Sequence, residues 1–117
     1  MRSRWLPPAL WAGVVLTATS IPDLSMPGPA GSDKVGHFLM YCMLGFLAHR
    51  AAAPRRDARR FVAVTLALTA FAAVDEWHQT FIPGRAADVA DFVADAVGAA
   101  TGCALAFAVA LRRPEPA

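Results

Sequence analysis

The sequence predicts an all-α integral membrane bundle of four transmembrane helices with both termini in the cytoplasm. Three observations predict it. Apolar residues make up 56% of the 117-residue chain, charged residues only 17%, and mean hydropathy is +0.42. That is too little charge to cover the surface of a soluble domain this small. Four apolar stretches alternate with Pro, Gly and Arg signals. The basic residues fall on one side of the resulting layout. High apolar content at a net charge of +2 excludes a disordered chain. The length fits one domain, residues 1–117, and excludes a catalytic cleft between two large lobes.

The first helix is expected at about residues 5–21, a run free of charge. The second, about 34–53, is interrupted in its apolar part by His37 and Tyr41. The third, about 60–80, ends before Pro83-Gly84, and the fourth covers about 88–111. With their flanks the segments reach roughly 20 residues, or about 30 Å at 1.5 Å per residue. The stretches 21–23 and 26–31 read as a Pro/Gly loop, and Pro54 opens an arginine-rich hairpin. Two other readings stay open at this point. Residues 1–20 resemble a cleaved signal peptide in their basic start, apolar core and small residues Thr17 to Ser20. A soluble four-helix bundle also accommodates the short uncharged run of segment three.

Orientation follows from charge. Arg2, Arg4, Arg50, Arg55, Arg56, Arg59, Arg60, Arg112 and Arg113 share one side, leaving only Lys34 and Arg85 opposite. The positive-inside rule makes the arginine side cytoplasmic. The hairpin arginines are read as this topology signal, so no nucleic-acid partner is expected. Membrane lipids are the expected surroundings, and Trp5, Trp11 and Trp77 read as interface anchors and packing groups. Cys42 and Cys103 each lie in an apolar run with no disulfide or metal spacing, and read as small buried hydrophobes.

The acids distribute the other way. Asp23, Asp33, Asp75, Glu76, Asp88, Asp91 and Asp95 all fall at the outer side, with His37, Tyr41, His78, Gln79 and Arg85. Asp88, Asp91, Asp95, Gly98 and Gly102 step by three and four, so they share one helical face. Gly98 and Gly102 form a small-residue contact that serves either internal packing or a homo-oligomer. Asp33, His37 and Tyr41 line one face of the second helix. A charge at mid-membrane costs about 2.5–3.5 kcal/mol on insertion scales. These groups must therefore pair, protonate, bind a cation or face water.

Three chemistries fit this set. The first is acid/base or cation-assisted work on a lipid-linked substrate. Its candidate centre is Glu76 with Asp75, His37 and Asp91, and its binding groups are Lys34, Arg85, Tyr41, His78, Gln79 and Asp95. The second is recognition without turnover, with Lys34 and Arg85 on a polyprenyl-phosphate or glycolipid head group. The third is proton-coupled translocation. A purely structural polar network competes with all three. No nucleophilic serine, HExxH or CxxC pattern is present. Asp75, Glu76 and His78 alone make a weak metal pattern. Enzyme activity, cofactor and metal are therefore left open by the residues.

The same residues carry a resemblance. Asp33-Lys34-Val35-Gly36-His37-Phe38 with Tyr41 resembles the first signature of VanZ-like proteins. Asp75-Glu76-Trp77-His78-Gln79 with Phe81, Pro83, Gly84 and Arg85 resembles the second, and Asp91 with Asp95, Gly98 and Gly102 the third. Asp95 stands where the family often carries asparagine. The resemblance implies a multi-pass protein of the bacterial cytoplasmic (inner) membrane acting on the cell envelope. It implies a site on Lys34, His37, Tyr41, Asp75, Glu76, Gln79, Arg85, Asp91 and Asp95. The founding member lowers susceptibility to the glycopeptide teicoplanin, and the family has no settled biochemical activity. The function expected from residues and resemblance together is binding or processing of a lipid-linked envelope intermediate at an outward polar site, with an effect on glycopeptide susceptibility. The alternatives are a non-enzymatic envelope modulator and a small proton-coupled carrier.

Overall fold

A computed structural model describes residues 3–21, 31–53 and 56–111. The expected loop at 22–30, with Asp23, the hairpin tip Pro54-Arg55, and Arg2, Arg112 and Arg113 lie outside the described residues. Among the described residues there are four helices and no strand: α1 (Leu6–Thr19), α2 (Ser32–Ala52), α3 (Ala58–Gln79) and α4 (Val89–Leu111).

Local chemistry explains where each helix starts. Pro7 and Pro8 occupy the first turn of α1, where a missing N–H breaks no intrahelical bond. Gly31 precedes α2 with φ of 93°, a left-handed conformation that favours glycine. Asp57 caps α3, its carboxylate accepting from the amides of Arg59 and Arg60 at 3.0 and 3.3 Å. That cap starts the helix at Ala58, ahead of the apolar run. The Asp88 carboxylate accepts from the Ala90 amide at 2.8 Å and so opens α4.

α2 and α4 run parallel and form the dominant interface. Gly98 lies against the backbone of Phe38, Gly102 against that of Cys42 and Phe46, and Gly45 against that of Ala99. A Cβ at any of the three would overlap a carbonyl oxygen of the facing helix. The glycine pair is thus occupied by α2 of the same chain. α3 packs antiparallel to this pair, with Tyr41 near Asp75 at one end and His49 near Phe61 at the other. α1 leans on the bundle through the Trp11 indole, which donates to the Met40 carbonyl at 2.8 Å.

The burial pattern is inverted relative to a water-soluble bundle. Thr19, His37, His49, Asp75, Glu76, Gln79, Asp91 and Asp95 are buried. Leu6, Leu10 and Val14 on α1 are exposed. So are Val35, Leu39 and Met43 on α2, Val62 and Leu66 on α3, and Val89, Val93 and Val97 on α4. Their three- and four-residue spacing puts an apolar stripe on the outside of every helix. Among the described residues one segment, Val89–Ala110, qualifies by length and apolarity to cross a membrane, and α1 is apolar but only 14 residues long. α2 and α3, at 21 and 22 residues, have the length, about 31–33 Å. Their buried polar residues and basic ends are what lower their mean apolarity. Four spans, expected from the sequence, thus reduce on this criterion to one.

Candidate functional site

The polar residues converge at one end of the bundle, where α2 and α4 begin and α1 and α3 end. Lys34 lies in the first turn of α2. Its ammonium donates to Asp33, Asp88 and Asp91 at 2.8, 2.8 and 2.6 Å. This hydrogen bond holds the exposed Asp88 carboxyl below the usual carboxylate range. One turn deeper, His37 Nδ1 lies 2.8 Å from Asp95 Oδ1, and its Nε2 lies 3.7 Å from Asp91 Oδ2. Another turn down, the Tyr41 hydroxyl donates to Asp75 Oδ2 at 3.0 Å. The side-chain period of α2 therefore sets one contact per turn against the matching period of α4 and the end of α3.

Asp75 receives a second donor from α1, the Thr19 hydroxyl, at 2.8 Å. The same hydroxyl lies 3.0 Å from the Val15 carbonyl. The next residue, Glu76, has other partners. It accepts from Gln79 Nε2 at 3.2 Å and from the Asp88 amide at 3.1 Å. Beside it an open groove of about 270 Å³ is lined by Ala73, Glu76, Ala87, Asp88, Val89 and Phe92.

Two expected binding residues have other surroundings. Ile82, Pro83, Gly84 and Arg85 form a turn closed by the Arg85 amide on the Ile82 carbonyl at 3.0 Å. Gly84 takes φ of 77°, as the third position of such a turn after proline requires. This turn aims the Arg85 guanidinium at the end of α1, where it donates to the Ile21 and Ala18 carbonyls at 3.1 and 3.0 Å. Arg85 is therefore engaged with the orphan carbonyls of a helix terminus. His78 is half-buried, and its Nδ1 has no partner among the described residues. Its neighbour Trp77 is exposed and packs edge-on against Phe81 at 5.1 Å.

The structure thus brings together Lys34, His37, Tyr41, Asp75, Glu76, Gln79, Asp91 and Asp95. It adds Asp33 and Asp88, which the sequence placed at the outer side without a role, and Thr19. Thr19 carries no sequence signal, because α1 reads as an apolar helix only. Almost every acid is matched, with one exception: Asp95 Oδ2 is buried and has no hydrogen-bond partner among the described residues. Asp75, Glu76 and His78 do not gather as the local pattern allows. Glu76 instead meets His37 and Asp95 from the other two helices.

Fold and site together define an all-α bundle, apolar outside, with an acid-rich polar centre at one end. The chain matches the VanZ/LLP1 family model over residues 6–111, and it belongs to that family. No curated protein and no solved structure matches it.

Proposed function

We propose that this chain is a four-span protein of the bacterial cytoplasmic membrane, both termini inside, which binds a lipid-linked envelope intermediate at its outward polar end. The observation that carries the reading is the inverted burial pattern. Large apolar side chains cover the outside of all four helices, while carboxylates and histidines lie buried inside beside a core of Val15, Tyr41, Leu44 and small residues. In water that surface invites aggregation, whereas in lipid it is the favoured arrangement. Arg50, Arg56, Arg59 and Arg60 stand at the end opposite the acids, which orients the polar end outward.

The groove supports the choice of ligand. Ala73, Ala87, Val89 and Phe92 offer an apolar wall for a lipid tail, and Glu76 and Asp88 offer acceptors. Both polar groups are carboxylates, so they meet hydroxyl or amino groups of a sugar-bearing head group. Lys34 is already shared by three acids, which moves the anionic part of the ligand away from it. An effect on glycopeptide susceptibility follows from binding such an intermediate. The dense internal pairing favours a second reading, a structural envelope modulator without ligand. A proton carrier has less support: among the described residues below Tyr41, His49 is the one buried polar side chain, beside apolar ones such as Leu44, Ala48, Ala51, Ala99, Cys103 and Ala106.

Native mass spectrometry of detergent-purified protein tests the reading. The wild type is expected to retain a lipid-linked saccharide mass. Ala73→Leu, which fills the groove without touching a carboxylate, is expected to lose it. An apo mass in both proteins contradicts ligand binding and favours the modulator.

A further inference from the structure

The buried carboxylates outnumber the positive charges beside them. Asp75, Glu76, Asp91 and Asp95 are each less than a tenth exposed. Two hydroxyls satisfy Asp75. Asp91 and Asp95 share Lys34 and His37, Lys34 also serves Asp33 and Asp88, and Glu76 accepts only neutral donors, the Gln79 amide and the Asp88 backbone N–H. Like charges in a low-dielectric interior repel strongly unless a proton or a cation intervenes.

One ligand atom from each of His37, Glu76 and Asp95 lies within 4.8 Å of the other two, and all three residues are buried. They come from α2, α3 and α4. Asp95 supplies a second observation. It is 0% exposed, its Oδ1 meets His37, and its Oδ2 stands beside that contact without a partner among the described residues. A fully buried carboxylate oxygen with no donor is rare and costly.

Either ring nitrogen of His37 can offer its lone pair to an ion, and Nδ1 already lies 2.8 Å from Asp95 Oδ1. Nε2 lies 3.7 Å from Asp91 Oδ2, too far for a hydrogen bond. Two ligands with bonds of about 2.1 Å at tetrahedral angles stand roughly 3.4 Å apart.

We infer that His37, Glu76 and Asp95 form a site for one divalent transition cation, with Asp91 at its edge. A mixed imidazole and carboxylate set suits Zn²⁺ or Mn²⁺ better than Mg²⁺ or Ca²⁺, which take oxygen ligands. A charge of +2 offsets two of the clustered carboxylates. The inference goes beyond the lipid reading and shares only Glu76 with it, so lipid retention and bound metal, read separately, can each fail alone.

The test uses full-length protein carrying no histidine tag, purified in detergent, stripped with chelator and dialysed against Zn²⁺ or Mn²⁺. Bound metal is counted by elemental mass spectrometry. The wild type and Asp57→Asn, at the opposite end of the bundle, are expected to bind one ion per chain. Asp95→Asn and Glu76→Gln are expected to bind it about tenfold to 100-fold more weakly, or not at all. X-ray absorption of the loaded wild type is expected to show one imidazole ligand, a readout independent of the variants' folding. A wild type that retains no ion, an ion with only oxygen ligands, or equal binding by all four proteins would overturn the site.

Discussion

Two histidines on one helix, twelve residues apart, show how differently the two ends of this bundle treat a polar group. His37 at the polar end lies between Asp95 and Asp91. His49 at the other end is 0% exposed, lies edge-on to Phe61 and Phe107 with centroids 5.9 and 6.2 Å away, and leaves both ring nitrogens without a partner. Phe61 and Phe107 also meet each other at 5.6 Å, closing an aromatic triangle. At this end the arginines sit over rings or on a helix end: Arg56 over Phe107 at 4.9 Å, Arg50 over Phe46 at 5.6 Å, and Arg60 on the Ala52 carbonyl. The comparison teaches that a buried polar side chain marks a site only when other helices bring it partners. His37 is one element of a network, and His49 is a packing group with a polar edge.

Substitutions can break that contrast. The largest effect is expected at the polar end. Asp95→Ala removes the partner of a buried histidine and is expected to cost about 3–5 kcal/mol, read as a large drop in the unfolding midpoint in detergent. A change under 1 kcal/mol would mean that the His37 contact carries little. Next comes the seam that holds both ends in register. Gly102→Ala drives a Cβ into the Cys42 carbonyl, which as backbone of a packed helix cannot turn aside. It is expected to cost about 1–3 kcal/mol, whereas Gly13→Ala, with open space around it, should change the midpoint little.

At the aromatic end the sign should reverse. His49→Leu removes two unsatisfied nitrogens from an apolar cage and is expected to fall within about 1 kcal/mol of the wild type, on the stabilising side. Destabilisation as large as that of His37→Leu would erase the distinction drawn above. The smallest effect sharpens the polar end alone. Lys34 depresses the folded pKa of Asp88, so this contact stabilises the fold above the ordinary carboxyl pKa of about 3.9 and is lost as pH falls through the lower folded value. The wild type should therefore melt slightly above Asp88→Asn at pH 6, and the gap should close below about pH 4. A gap that persists in acid would contradict the charge contact as its source, because asparagine keeps an acceptor oxygen for the Ala90 amide.

Much of this was legible in the sequence because helices are periodic. The 3–4 spacing of Asp88, Asp91, Asp95, Gly98 and Gly102 announced one face, and that face packs on α2. The step of four from Asp33 to His37 and Tyr41 announced the other. What stayed hidden depends on pairing between helices. Nothing in one chain says that Thr19 of an apolar helix will reach Asp75, or that Arg85 will be turned onto the end of α1. Arg85 looked like an anion-binding group because it and Lys34 are the two basic residues on the outer side of the layout. The Pro83-Gly84 turn, which decides its direction, reads from sequence only as a stop. The spans show the opposite limit. Apolar content averaged along α2 and α3 conceals that the polar residues lie inside and the apolar ones outside, which only the packed bundle reveals.

The central claim is that the acid-rich end of an inside-out bundle faces outward from a membrane. Site-directed cysteine labelling tests it most directly. In a chain whose Cys42 and Cys103 are replaced by alanine, Asp88→Cys and Asp57→Cys are each treated in intact cells with a membrane-impermeant maleimide. The account predicts that position 88 is labelled from outside and position 57 only after permeabilisation. Labelling of position 57 from outside with protection of 88 would invert the protein, and recovery of both variants in the soluble fraction would remove it from the membrane altogether.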